Sequence, residues 1–237
     1  MVSVVIPVFD ERDNLAPLLD EIEATLGGAD HEVVAVDDCS ADGSLEELLR
    51  LQSTHPQLRV ITLEQRAGQS AAIVAGFELA HGEVVVTLDA DGQNDPADVP
   101  RLLNLLRQNP GCAAVVGYRA SRADSGWKRL QSRIANTIRN WVTGDAVRDT
   151  GCSLKAMRRA VLLDLPRFDG MHRFLPSLLR MQGGVVMEVP VAHRRRLSGK
   201  SKYGMWNRAA RALGDALGVR WLIRRRLAYK VIERSER

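Results

Sequence analysis

Two pairs of carboxylates carry the chemistry this sequence can offer. Asp37 and Asp38 follow the apolar run Val33-Val34-Ala35-Val36, and Asp89 and Asp91 follow Val84-Val85-Val86-Thr87-Leu88. Carboxylates about 5 Å apart repel by roughly 3 kcal/mol at an effective dielectric near 20, so a proton, a basic side chain or a metal ion must offset them. On a turn, Asp89 and Asp91 can direct two oxygens toward one cation. Oxygen-only ligation favours magnesium or manganese, completed by water and a substrate phosphate. Neither histidine nor cysteine stands near enough in sequence to suggest zinc. An Asp-x-Asp triplet alone is a weak signal, because an Asp-rich turn has the same composition. Its place after a strand-like run and before Gly92-Gln93-Asn94-Asp95-Pro96 strengthens it. A carboxylate such as Asp38 can accept hydrogen bonds from a base or a ribose. Neither Gly-x-x-x-x-Gly-Lys-Ser/Thr nor a Gly-x-Gly-x-x-Gly after the first strand occurs, so a glycine-rich phosphate cradle is not expected.

These acids need elements to hold them. β-Branched and apolar runs predict strands over 2–9, 32–36, 58–63, 83–88 and 113–116. Between them, Leu15, Leu18, Leu19, Ile22 and Leu26 fall at helical spacing, as do the apolar residues of 44–51. A small-residue helix is predicted over 68–80, and Asp95-Pro96 opens another that runs to Gln108. This alternation implies an α/β fold with a Rossmann-like, mostly parallel sheet covered by helices on both faces. Ligands of such sheets bind beyond the carboxyl ends of the strands, so both acidic pairs converge on one edge. From Arg119 to Gly126 the pattern becomes a polar loop. A helix over 128–142, strands over 150–157 and 185–189, a Gly/Ser/Lys/Arg loop over 194–203 and a helix from Met205 to about Arg234 follow. With neither repeat nor linker, the simplest division is one domain over 1–204 and a basic amphipathic helical segment over 205–237.

The 237 residues, 45% hydrophobic and 26% charged, are ample for a packed core and exclude disorder throughout. No run approaches the roughly 18 apolar residues of a membrane span, and the N-terminus has no pattern of a signal peptide. Cys39, Cys112 and Cys152 read as reduced thiols rather than a disulfide frame. Residues 194–237 hold 14 Lys/Arg against three Asp/Glu, a net of +11, which leaves −7 for residues 1–193 out of the overall +4. An acidic body is expected to hold a cation, and a basic tail to face an anionic surface. Trp221-Leu222-Ile223-Arg224-Arg225-Arg226 suits a membrane interface, where rings anchor and guanidiniums meet lipid phosphates. The competing reading is a packed helix or a contact in a homo-oligomer. Nucleic acid is disfavoured, because the excess charge sits on one terminal helix and aromatics are few. The expected location is cytoplasmic, peripherally attached to the inner face of the membrane.

Five blocks carry a resemblance. They are Val5-Ile6-Pro7-Val8-Phe9-Asp10-Glu11, Val36-Asp37-Asp38-Cys39-Ser40-Ala41-Asp42-Gly43-Ser44, Leu88-Asp89-Ala90-Asp91-Gly92-Gln93-Asn94-Asp95-Pro96, Asp149-Thr150-Gly151-Cys152, and His193-x-x-Arg196-x-x-Gly199-x-Ser201-Lys202-Tyr203. Over about residues 2–205 the chain resembles family 2 glycosyltransferases of the GT-A fold, most closely the branch that transfers sugars to dolichyl or undecaprenyl phosphate. The resemblance implies that Pro7, Phe9, Glu11, Val36 and Asp38 contact a nucleoside, with Asp37 beside them. It implies that Asp89, Asp91 and Gln93 hold Mg2+ or Mn2+ against the donor diphosphate, with Ala90 lining the site. Arg119, in Gly117-Tyr118-Arg119, would hold the acceptor phosphate together with Ser132 and Arg133, where Ile134 stands in place of the family's glycine. Arg196 and Lys202 would close over the donor phosphates.

The implied reaction moves a sugar from a nucleoside diphosphate, of uridine or guanosine, to a polyprenyl monophosphate with inversion. A phosphate acceptor is already ionised near neutral pH, with a second pKa near 6, so it needs no strong base. It needs cations that bring two anions together, which the arginines, Lys202 and the metal would supply. One rival, from another class, is a non-catalytic membrane- or nucleic-acid-binding protein with a degenerate sugar-nucleotide site; the other is a related transferase acting on a saccharide or another lipid. A hydroxyl acceptor would require a base, and the Arg196-to-Lys202 block argues against it.

Overall fold

The first half of the chain alternates as its hydrophobic pattern predicts. The computed structural model describes residues 1–119, 140, 144, 147–194 and 205–227. In order these form β1 (Val2–Val8), α1 (Arg12–Leu26), β2 (His31–Asp37), α2 (Ser44–Leu51), β3 (Leu58–Thr62), α3 (Gln69–Leu79) and β4 (Val84–Thr87). A short 3-10 turn, Pro96–Asp98, leads into α4 (Val99–Gln108) and β5 (Cys112–Arg119). Then come β6 (Lys155–Arg158), α5 (Arg159–Leu163), a second 3-10 turn (Met171–Arg173), α6 (Leu175–Met181), β7 (Val185–Val191) and α7 (Met205–Arg225). The predicted polar loop from 120 to Gly126, the helix over 128–142 apart from Asn140, and most of the basic loop over 194–203 lie outside the described residues.

The strands form one sheet in the order β3-β2-β1-β4-β6-β5-β7. β1, β2, β3 and β4 pair in parallel, as do β5 and β7, while β6 runs antiparallel between β4 and β5. The mostly parallel sheet expected from the sequence is therefore present. The strand predicted over 150–157 begins only at Lys155, because Asp149 turns back to bind Arg119 and the Ser153 carbonyl is taken by Thr87 Oγ1 at 2.5 Å.

The pleat divides the core in two. Val4, Ile6, Val33, Ala35, Val86 and Val115 face one side, where α1, α2 and α4 cover them. Val5, Val34, Val36, Val85, Ala114 and Val116 face the other, beneath α3, α5, α6 and α7. The small residues of α3 have a steric purpose, since a Cβ on Gly76 would lie 2.3 Å from Val5 Cγ1. Ala216 and Val219 of α7 are buried in the second cluster, and α7 ends at Arg225, while residues 228–234 of the predicted helix lie outside the described residues. Among the described residues, no helix is long and apolar enough to cross a membrane.

Candidate active site

Parallel strands β1, β2, β4 and β5 all end at one edge, and the acids gather there. Directly after β4 the chain makes a tight turn through Asp89-Ala90-Asp91. Asp91 Oδ1 accepts the Gln93 N–H at 3.1 Å, and Gly92 between them takes a φ of 67°, the left-handed region that favours glycine. Gln69, the first residue of α3, donates Nε2 to Asp89 Oδ1 at 2.8 Å. Buried Asn94 accepts Ser153 Oγ at 2.6 Å, which ties the turn to the strand behind it. Burial, and then the neighbouring Asp91 carboxylate, push the Asp89 pKa up to about 6, against Ser153, Lys155 and Arg119. Above that value Asp89 is charged, and its repulsion from Asp91 favours a cation between them.

Behind the turn lies a residue that the sequence reading passed over. Lys155 is 4% exposed and sits on β6 opposite Thr87 of β4. Its ammonium donates to the Cys152 carbonyl. Burial lowers its pKa, while Cys152, Asp89 and Asp149 draw it back up. The signal was there, since a lysine flanked by Leu154 and Ala156 inside an apolar strand has to be partnered. Cys152 itself is buried, which raises its thiol pKa, as a small packing residue requires.

The fit to a divalent ion follows from the donor set. Asp89 and Asp91 offer carboxylate oxygens only, and among the described residues no group of three His, Cys, Asp or Glu could complete a site. Two acids alone suit a hard cation that keeps waters and takes further oxygens from a bound phosphate.

The loops after β1 and β2 are stitched together. Asp10 N–H donates to Ser40 Oγ at 2.9 Å, Glu11 N–H to Ser44 Oγ at 3.0 Å, and Ala41 N–H to Asp10 Oδ1 at 2.8 Å. Asp10 and Cys39 both adopt positive φ, 50° and 57°, on this double loop. Pro7 and Phe9 are half-buried at its floor, and the Arg66 guanidinium lies 4.0 Å over the Phe9 ring. Glu11 Oε2 accepts Asn14 Nδ2 at 2.6 Å. Asp38 accepts the Ala67 N–H at 2.6 Å and the Gly68 N–H at 2.9 Å, so it holds the entry to α3. Asp37 is 1% exposed, and among the described residues its Oδ1 has no hydrogen-bond partner. The side chains of Val36 and Ala90 lie in the core, which leaves only their backbone for any ligand.

On the other side of the turn, Arg119 at the end of β5 forks onto Asp149, with Nε to Oδ2 at 2.6 Å and Nη2 to Oδ1 at 2.8 Å. Asp149 is buried and also accepts the Arg119 and Gly151 N–H groups. The Asp149-Thr150-Gly151 block therefore sets the direction of Arg119. Ser132, Arg133, Arg196 and Lys202 lie outside the described residues. His172 is held by Ser70 at the start of α3, with Ser70 Oγ 2.7 Å from its Nδ1. The Gly170 N–H donates to the same Ser70 Oγ at 2.9 Å, so this hydroxyl joins the imidazole to the loop before the second 3-10 turn. Burial, then Arg173 and Lys155, lower the His172 pKa to about 3, so the ring is neutral.

Known proteins place this arrangement. The Glycosyl transferase family 2 signature matches residues 3–165. The chain is 42% identical over 206 residues to the undecaprenyl-phosphate 4-deoxy-4-formamido-L-arabinose transferase of Pseudomonas syringae pv. syringae, covering 85% of this chain and 60% of that protein. It is 32% identical over 228 residues to the dodecaprenyl-phosphate galacturonate synthase of Rhizobium johnstonii, covering 94% and 67%. It thus spans about 60% of the length of the arabinose transferases. In fold it is similar to glucosyl-3-phosphoglycerate synthase from Mycobacterium tuberculosis, solved with Mn2+, uridine-diphosphate-glucose and phosphoglyceric acid, at a TM-score of 0.70 and 20% identity over 92% of this chain and 80% of that one. Family signature and relatives together show that the chain belongs to glycosyl transferase family 2.

Proposed function

We propose that this chain transfers a sugar from a nucleoside diphosphate, of uridine or guanosine, to a polyprenyl monophosphate, with inversion and with a divalent ion. The observation that carries the reading is the Asp89–Asp91 turn. It is an all-oxygen acid pair at the carboxyl edge of the sheet, with the hydrogen-bonded β1 and β2 loops on one side and Arg119 on the other. Relatives whose names specify undecaprenyl or dodecaprenyl phosphate support the acceptor class.

The nucleoside would lie on Pro7 and Phe9, with Arg66 above. Asp37 Oδ1 is a buried acceptor ready for a donor from the base or ribose. Asp89, Asp91 and Gln93 would hold Mg2+ or Mn2+, which when bound supplies charge neutralisation for a diphosphate leaving group. Arg119, oriented by Asp149, would face the acceptor phosphate, joined by Arg133 and Ser132. Arg196 and Lys202 would add positive charge around the donor phosphates. A phosphate acceptor arrives ionised, so the site has only to gather two anions.

The test is an assay of UDP- and GDP-sugars with Mn2+, offering polyprenyl phosphate or free saccharides as acceptors. Transfer is expected to polyprenyl phosphate alone. Asp91→Ala is expected to keep its fold by circular dichroism and to lose transfer by at least about a hundredfold. Near-normal turnover of that variant, or preference for a saccharide, would overturn the reading.

A further inference from the structure

The acidic turn after β4 is gripped from outside by a residue that the proposed chemistry does not use. Past the end of β7, Arg194 N–H donates to the Gln93 carbonyl at 2.8 Å, and the preceding His193 pairs with Asn94 in an antiparallel bridge. The Arg194 guanidinium spans two elements. Nη2 lies 2.7 Å from Asp95 Oδ2, at the end of the turn, and Nη1 bonds both carboxylate oxygens of Glu21 on α1 at 2.8 and 2.7 Å. One residue earlier, Ala192 N–H donates to Asp98 Oδ2 at 2.7 Å. Three consecutive residues, 192–194, thus hold the chain from Gln93 to Asp98.

We infer that Arg194 is a positioning residue for the metal turn, fixing Gln93 and Asp95 against α1 so that the oxygens of Asp89, Asp91 and Gln93 keep one spacing. The inference rests on the metal role proposed above and adds to it what sets the geometry. The planar fork of arginine can bind two carboxylates on different elements at once, and a lysine can only alternate between them. These ion pairs are half-exposed and contribute little to stability. Their effect is on register: the turn supplies only two acids, and a small shift between them separates oxygens that must share one ion. α1 starts just after the loop that carries Phe9 and Glu11, so the link to Glu21 also ties the turn to the nucleoside end of the site.

The experiment measures Mn2+ binding to the full chain from the loss of the free Mn2+ paramagnetic resonance signal, with UDP and GDP in separate arms. Nucleotide binding without metal and thermal melting are measured in parallel. Arg194→Gln is expected to weaken Mn2+ binding about threefold to tenfold, while metal-free nucleotide affinity is unchanged and melting moves by no more than about 2 °C. Glu21→Gln, which leaves the Asp95 pair intact, should lose less in the same direction, and Arg194→Lys should fall between wild type and Arg194→Gln. Wild-type Mn2+ affinity in Arg194→Gln overturns the inference, as does a loss matched by equal losses of metal-free nucleotide binding and melting temperature. Should Arg194→Gln fail to fold, Glu21→Gln decides, and an unchanged Mn2+ affinity there counts against the inference. If wild type binds Mn2+ with neither nucleotide, the metal reading itself falls and takes the inference with it.

Discussion

Asp89 is under two opposing influences. Burial and Asp91 favour its protonated form, while Ser153, Lys155 and Arg119 favour the charged one, and the balance leaves its pKa near 6. This carboxyl's pKa is raised in the folded protein, so above about pH 6 it is ionised at an electrostatic cost that a cation relieves. As pH falls through about 6 a proton takes the cation's place. Mn2+ affinity in the presence of nucleotide should therefore hold above about pH 7 and fall roughly tenfold per unit below 6. Calorimetric titrations between pH 7 and 5 check this, and a flat response would contradict it. At this scale the sequence shows the acids, because Asp-x-Asp after a strand is local information. It hides their supports. Lys155 is 66 positions from Asp89, and Gln69, Ser153 and Arg194 reach the turn only once β4, β6, α3 and β7 are assembled.

Among the elements, α3 shows how close packing can outweigh propensity. Alanine is favoured over glycine in a helix interior by about 1 kcal/mol. Yet a methyl group on Gly76 would meet Val5 at 2.3 Å, and overpacking costs about 1–3 kcal/mol. Gly76→Ala is expected to destabilise the protein by up to about 2 kcal/mol net in denaturant unfolding, and a stabilised variant would show that α3 can shift away from β1. The elements up to Gln108 are legible because strands repeat with period two and helices with period 3.6, and each connection is short. β6 is not. Its four residues carry Lys155 and Arg158 at the two ends, too short a run for alternation to register, and its antiparallel direction depends on what it lies between. The Asp149 turn that delays its start is a long-range pairing with Arg119, invisible to any local window.

For the whole molecule, the uneven charge points to where it works. α7 buries Ala216 and Val219 against the body and exposes Leu217 at 54% and Trp221 at 60%, on the same side as Arg224 and Arg225. We propose that this side meets an anionic membrane, where the polyprenyl phosphate resides. Removing α7 would open the second core, so point changes make the cleaner test. Trp221→Glu combined with Arg224→Glu and Arg225→Glu should markedly reduce flotation with anionic liposomes while melting stays near wild type, and equal flotation would remove the proposed role. The sequence showed the charge asymmetry and the amphipathic helix, but which apolar residues it turns inward became apparent only from the second core. One further consequence comes from the middle of the sheet. The Gly117 N–H donates to the Leu154 carbonyl at 2.9 Å, so the chain that departs after β5 returns beside its own point of exit. On the returning side Asp149 binds Arg119 and Ser153 binds Asn94, so both ends of this excursion are pinned to the sheet and to the turn after β4. A longer connection between Arg119 and Asp149 would add only a slowly growing closure entropy.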